Sequence, residues 1–180
     1  MKKTIYLILS LMVGNLFAQD ITLQKQFKLE YNLLGIGASY ELPISEKLLL
    51  DFGAGVGGGV DSNEAYVWDF NTSLAAYVKV ELKRFYNLDK RYKKGKNVAN
   101  NAGNYVGLQT KYFTTRFSPN KDYDPLQNAI LTEIHWGFQR NLSEKWLFNF
   151  HIGAGVLRNL DTNYGLLSPA IGLKFSYRLF

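Results

Sequence analysis

The residues best suited to chemistry are the two histidines, His135 and His151, and the acids near them. Glu133 stands two positions before His135, so on an extended strand both side chains leave the same face. A carboxylate beside an imidazole is the raw material of general acid–base catalysis, and Ser168 is a nucleophile that such a pair would activate. No spacing forces these groups together. The chain has no cysteine, and two histidines far apart in sequence make no metal motif. The sequence therefore predicts no catalytic residue, no metal ligand, no cofactor and a non-enzymatic role.

Gly53, Gly55, Gly57, Gly58 and Gly59 match a dinucleotide-binding loop in composition alone. Such a loop opens a helix whose N-terminus receives the pyrophosphate, whereas Asp61, Ser62 and Asn63 here lead into another strand. Small residues facing the inside of a narrow barrel account for the run better.

A basic segment offers a binding surface instead. Residues 83–97 carry Lys83, Arg84, Lys90, Arg91, Lys93, Lys94 and Lys96 against Asp89 alone, interleaved with Phe85, Tyr86 and Tyr92. The formal charge of +6 is concentrated there and in Lys2 and Lys3, which leaves the remainder slightly acidic. A nucleic-acid surface spread over the fold is thereby excluded. Cations mixed with aromatics beside a membrane strand suit lipid head groups, so Arg84, Tyr86, Lys90, Arg91, Lys93, Lys94 and Lys96 are the predicted contacts. A periplasmic or membrane protein partner is the sharper expectation for the same residues.

The elements that must carry these groups are strands. In residues 66–83, Trp68, Phe70, Thr72, Leu74, Ala76, Val78, Val80 and Leu82 form one face, and Asp69, Asn71, Ser73, Ala75, Tyr77, Lys79, Glu81 and Lys83 the other. Similar alternation predicts strands over 48–60, 105–117, 128–140, 146–157 and 165–180. Near the start, apolar residues sit at odd positions through Leu33 and at even ones from Ile36. A tight turn at Leu34-Gly35 explains the change of parity and makes eight strands, the even number that single-chain bacterial barrels favour. The polar face then carries Lys28, Glu30, Glu41, Asp51, Lys79, Glu81, Lys111, Glu133, His135, His151, Lys174 and Arg178. Charges of both signs predict a paired polar core filling the bore.

Residues 1–18 read as a signal peptide: Lys2 and Lys3, a short apolar core from Ile5 to Val13, and Ala18 before the cut. The remaining residues, 19–180, suit one barrel domain. Two turns echo each other, Ile44-Ser45-Glu46-Lys47 before Gly53-Ala54-Gly55-Val56 and Leu142-Ser143-Glu144-Lys145 before Gly153-Ala154-Gly155-Val156. Repeated short turns suit an up-and-down meander with those turns on the periplasmic side. The loops near 61–65, 118–127 and 158–164 then face outward. Trp68, Tyr112, Tyr40, Trp136, Trp146 and Tyr177 fall toward strand ends, as an aromatic girdle requires.

In its signal, alternating strands, short turns and terminal aromatic, the chain resembles the small, eight-stranded bacterial outer-membrane β-barrel proteins over residues 27–180. The resemblance implies a monomeric, antiparallel up-and-down transmembrane barrel in a Gram-negative envelope. Its partners would be outer-membrane lipids and the barrel-insertion machinery, for which the last residue, Phe180, would be part of the signal. Such families include adhesion, defence and lipid-modifying members, so the fold leaves the role open. A structural or interaction protein, serving as an accessory subunit of an envelope complex, is the first expectation. The alternatives are a lipid A-modifying enzyme and a soluble lipocalin-like binder with a cavity lined by Leu50, Phe52, Phe148 and Phe150.

Overall fold

In a computed structural model the chain forms a closed barrel of eight strands in sequence order, every neighbouring pair antiparallel. The structure describes residues 22–33, 35–62, 68–114, 128–161, 163 and 165–180, with side chains at all of these except 58–62 and 68–73. The expected signal peptide, much of the predicted outward loops, and the side chains of Trp68 and Phe70 lie outside the described residues.

The strands are β1 (Gln26–Asn32), β2 (Gly35–Pro43), β3 (Leu48–Ser62), β4 (Trp68–Phe85), β5 (Asn104–Phe113), β6 (Ala129–Asn141), β7 (Trp146–Asn159) and β8 (Gly165–Arg178). The parity change is a turn between two strands: Asn32 pairs with Gly35, and both flanking strands are short. Strand β4 also carries an irregularity: Gly57 of β3 pairs with Ala75 but Gly59 with Asn71, so three residues of β4 stand opposite one of β3. Extra residues of this kind bend a strand and increase its twist, which helps a sheet close on itself.

Closure joins β1 to β8, from Lys28 opposite Arg178 to Asn32 opposite Lys174. The last two residues extend this seam. Phe27 N–H donates to Phe180 O at 3.1 Å, Leu179 N–H donates to Phe27 O at 2.9 Å, and the rings of Phe27 and Phe180 stack at 5.9 Å. Closing the sheet satisfies the backbone groups that an open edge would expose.

One end of the barrel gathers both terminal segments, the short turns 44–47 and 142–145, and the β4–β5 connection. The turns share their chemistry. Ile44 and Ser45 N–H donate to Leu48 O, and Leu142 and Ser143 N–H donate to Trp146 O. The β4–β5 connection holds helix α1 (Leu88–Lys93) and a 3-10 turn at Ala99–Asn101. Gly95, at φ 64°, ends α1: its N–H donates to Tyr92 O and Lys96 N–H to Arg91 O. That pair of bonds is the Schellman stop, which needs a left-handed residue at this position.

Alternation sorts the described side chains of the strands into two faces. Gln26, Lys28, Glu30, Ser39, Glu41, Asp51, Lys79, Glu81, Lys83, Gln109, Glu133, His135, Gln139, Asn149, His151, Lys174 and Ser176 are buried in the bore. Leu29, Ile36, Phe52, Leu74, Val78, Leu108, Ile134, Ile152, Leu167 and Ile171 are exposed on the outside. Inward glycines make room for the long polar side chains: a Cβ on Gly53 would meet Lys79, and one on Gly172 would meet the His151 ring. Leu50, Phe52, Phe148 and Phe150 alternate with buried neighbours and face outward, so the apolar interior of a lipocalin-like binder is not formed.

Candidate functional site

The bore is filled by one connected ion-pair network. Lys28 Nζ lies 2.7 Å from Glu41 Oε1, 3.5 Å from Glu30 and 3.9 Å from Asp51. Lys83 Nζ lies 2.6 Å from Asp51 Oδ2 and 3.0 Å from Glu41 Oε1. Lys79 stands 3.5 Å from both Glu30 and Asp51, and Lys174 stands 3.8 Å from Glu81. A charge removed from water needs such partners, because an unpaired one costs several kcal/mol. The pairing the sequence predicted is formed by Lys28, Lys79, Lys83 and Lys174, whereas Lys111 lies over the rings of Tyr77 and Phe113. Lys83 belongs to this network and not to the basic surface with which its position in the chain groups it.

A second cluster adjoins the first. His135, at the middle of β6, donates or accepts at Nε2 with Glu81 Oε1 at 3.0 Å. Its Nδ1 lies 3.3 Å from Glu133 Oε1, and His151 Nε2 on β7 lies 3.4 Å from the same oxygen. Gln109 Nε2 donates to that oxygen at 2.8 Å. The two imidazole rings are 4.4 Å apart, and Tyr105 meets His135 edge-on at 6.0 Å. Register explains the meeting. Counting outward from the 142–145 turn sets His135 opposite Gly153 and His151 opposite Gly137, so the histidines are diagonal neighbours on the inner face. That count was available in the sequence once the turn was placed.

Ser168 does not join them. It pairs with Gly155, four residues along β8 from Gly172, the partner of His151, which is about 13 Å along a strand. Its hydroxyl donates to the carbonyl of Pro169. The serine, the histidines and the acid therefore form no triad.

The terminal end of the bore is plugged by the 3-10 turn. Asn100 and Asn101 are buried there, at φ 54° and 59°. Asn101 Nδ2 donates to Glu41 Oε2 at 2.8 Å and to Gln24 O at 2.9 Å, while Gln24 N–H donates to Asn101 Oδ1 at 2.7 Å. Gln139 Nε2 donates to Asn100 O at 2.8 Å. Below this, Leu23, Leu49, Phe85, Leu88 and Tyr105 pack as a small apolar cluster. Sequence reasoning missed the plug, since nothing in the local pattern marks Asn100-Asn101 as inward-facing.

The basic residues lie on the outer side of the plug. Leu88 is the buried foot of α1, whereas Lys90, Lys93, Lys94 and Lys96 are exposed around it. Arg91 is half-buried and donates to Asn97 O at 2.9 Å, and Arg84 is exposed on the outward face of β4. Tyr86 lies against the outer wall, where Trp136 Nε1 donates to its hydroxyl at 2.6 Å. Asp89 is engaged by Lys47 at 2.9 Å, leaving the surrounding cations in excess. Phe180 is exposed beside the β1–β8 seam.

No protein-family model, no curated protein and no solved structure matches the chain.

Proposed function

We propose that the protein is an integral outer-membrane β-barrel with a non-enzymatic, structural or interaction role, acting as an accessory subunit of an envelope complex. One observation carries this reading: the barrel is built inside out. Among the described residues, the outward row of β8 runs Leu167, Pro169, Ile171, Leu173, Phe175 and Tyr177, while Lys174 and Ser176 between them are buried. Ten residues of strand rise about 34 Å. At a tilt of about 40° that is a height near the ~25 Å apolar band of outer-membrane barrels. Outward cations occur at the strand ends, as Arg84, Arg140 and Arg158 do. A soluble protein would instead present such a wide apolar surface to water, at a cost that folding would have to offset.

In this reading residues 1–18 export the chain as a signal peptide, and the end bearing the termini faces the periplasm. Trp136, Trp146, Tyr177 and Tyr40 supply the interfacial aromatics at that end; Trp146 meets Tyr177 at 5.2 Å. The cations of α1 and its flanks sit where anionic head groups or a periplasmic partner would meet them. Phe180, at the closing seam, would be part of the signal read by the insertion machinery. The lipid-modifying enzyme is the weaker reading, because the Ser168 hydroxyl bonds to the Pro169 carbonyl and to neither histidine.

Membrane fractionation tests the proposal. The protein should remain in the outer-membrane pellet after alkaline carbonate washing and migrate differently in gels when boiled. Recovery in the soluble periplasmic fraction would overturn it. For the partner, cross-linked pull-downs with native protein and with Lys90, Lys93, Lys94 and Lys96 changed to Gln should differ; deleting the segment would remove Asn100 and Asn101 and unplug the bore.

A further inference from the structure

We infer that Glu133, His135 and His151 form a binding site for a borderline divalent metal ion, zinc foremost, inside the barrel. One donor atom from each of the three lies within 4.8 Å of the other two, and all three residues are buried. The inference does not depend on the membrane reading, since it concerns the bore alone.

Two of the three donor–donor separations are those of a coordination polyhedron. Zinc holds nitrogen and oxygen ligands at about 2.1 Å, so neighbouring ligands of a tetrahedral ion are about 3.4 Å apart. Glu133 Oε1 lies 3.3 Å from His135 Nδ1 and 3.4 Å from His151 Nε2. His135 Nδ1 makes no hydrogen bond although the residue is only 2% exposed. A buried imidazole nitrogen aimed at a carboxylate without bonding to it is a ligand atom short of a partner.

The support around the three residues is also of the metal-site kind. His135 places its other nitrogen 3.0 Å from Glu81 Oε1, the outer carboxylate that fixes the tautomer of a ligating histidine. Gln109 holds Glu133 from the side at 2.8 Å. Inward glycines leave the space: a Cβ on Gly107 or Gly153 would strike His135, one on Gly172 would strike His151, and one on Gly155 would come within 2.8 Å of Glu133 Cβ.

Charge favours a cation here and not elsewhere in the bore. Glu30, Glu41, Asp51 and Glu81 each have lysine partners. Glu133, among the described residues, has no lysine within ion-pair distance, and its partners are the two histidines. Lys174 and Lys79 are drawn toward Glu81, Glu30 and Asp51, and Lys111, two residues along β5 from the Gln109 that pairs with Glu133, lies over the rings of Tyr77 and Phe113, outside ion-pair distance of Glu133. Two imidazoles and one carboxylate make the three-ligand set that zinc accepts with a fourth position left for water, and copper(II) or nickel(II) would compete for it.

The test uses untagged full-length protein purified in detergent, stripped with chelator and titrated with zinc chloride, then with cobalt(II) chloride. One zinc per chain should bind, and cobalt should give the strong visible bands of a four-coordinate site. Glu133→Gln and His151→Ala should each weaken zinc binding by more than the about 10–100-fold that loss of an outer-shell partner costs, while Ser168→Ala binds as the native protein does. No stoichiometric uptake by folded, heat-modifiable native protein would overturn the inference, as would uptake unchanged in the Glu133→Gln, His151→Ala double variant. If the variants do not fold, the cobalt spectrum of the native protein decides: weak bands of a six-coordinate aquo ion count against the site.

Discussion

Lys83 on β4 reaches across the sheet to Asp51 on β3, with 2.6 Å between Nζ and Oδ2, and the same ammonium lies 3.0 Å from Glu41 on β2. Three strands are thus tied by one buried cation in a bore whose apolar cluster is small and confined to the plugged end. Replacing Lys83 by Met leaves two carboxylates short of a partner. We expect a loss of about 3–5 kcal/mol, the usual cost of breaking a buried pair, read from the urea midpoint in detergent. Adding Asp51→Asn should recover part of it; a Lys83→Met protein as stable as the native one would show the network to be dispensable.

The inward glycines differ in what stands over them, which gives a graded expectation. The atoms nearest a Cβ on Gly53 all belong to the Lys79 side chain, which can shift where backbone cannot. A Cβ on Gly55 would meet Ile36 O, the Tyr77 hydroxyl at 2.6 Å and Gly37 Cα at 2.8 Å. Gly53→Ala should therefore fold near normally, whereas Gly55→Ala should cost about 1–3 kcal/mol as overpacking does. Equal denaturation midpoints for the two variants would contradict this.

Charges placed on the outer wall separate lipid from water as the surrounding medium. Val78 is 55% exposed and Ile134 60%, both on the outward face. In vesicles, Val78→Lys or Ile134→Arg should destabilise by about 2–4 kcal/mol near the bilayer midplane. In a water-soluble barrel the same changes should fall within about 0.5 kcal/mol. Refolding titrations in phospholipid vesicles supply the number.

Phe180 packs on Phe27, and the proposed reading gives it a second role in assembly that one substitution can part from the first. Its ring stacks on Phe27, a contact of about 0.5–1.5 kcal/mol. Phe180→Ala should then lower stability only by that amount after refolding in detergent. Assembly in cells should drop several-fold, measured as the heat-modifiable fraction of newly made protein. An in-cell defect no larger than the in-vitro one would leave Phe180 a packing residue only.

How much was legible follows from what a strand period can encode. The eight strands, the β1–β2 turn and the inward polar row were readable, because alternation at two residues assigns each side chain to a face wherever it persists. The basic residues around Lys90 were readable as surface, and alternation put Lys83 on the polar face of its strand although it also heads the basic run. A run of cations in the chain does not show where β4 ends, and the strand continues through Phe85, carrying Lys83 into the bore. Asn100 and Asn101 gave no signal either, since a plug in left-handed conformation has no period to detect.

The chain by itself determined which residues face in and which face out, since that depends only on pleat and parity. Tertiary structure decided who meets whom. Whether Lys83 on β4 finds Glu41 on β2, or His135 on β6 finds Glu81 on β4, depends on the stagger between strands and on how tightly the sheet curls when β1 closes on β8. Those quantities are properties of the whole barrel, set jointly by turns, the irregularity at Gly57–Gly59 and the plug, and no single strand records them.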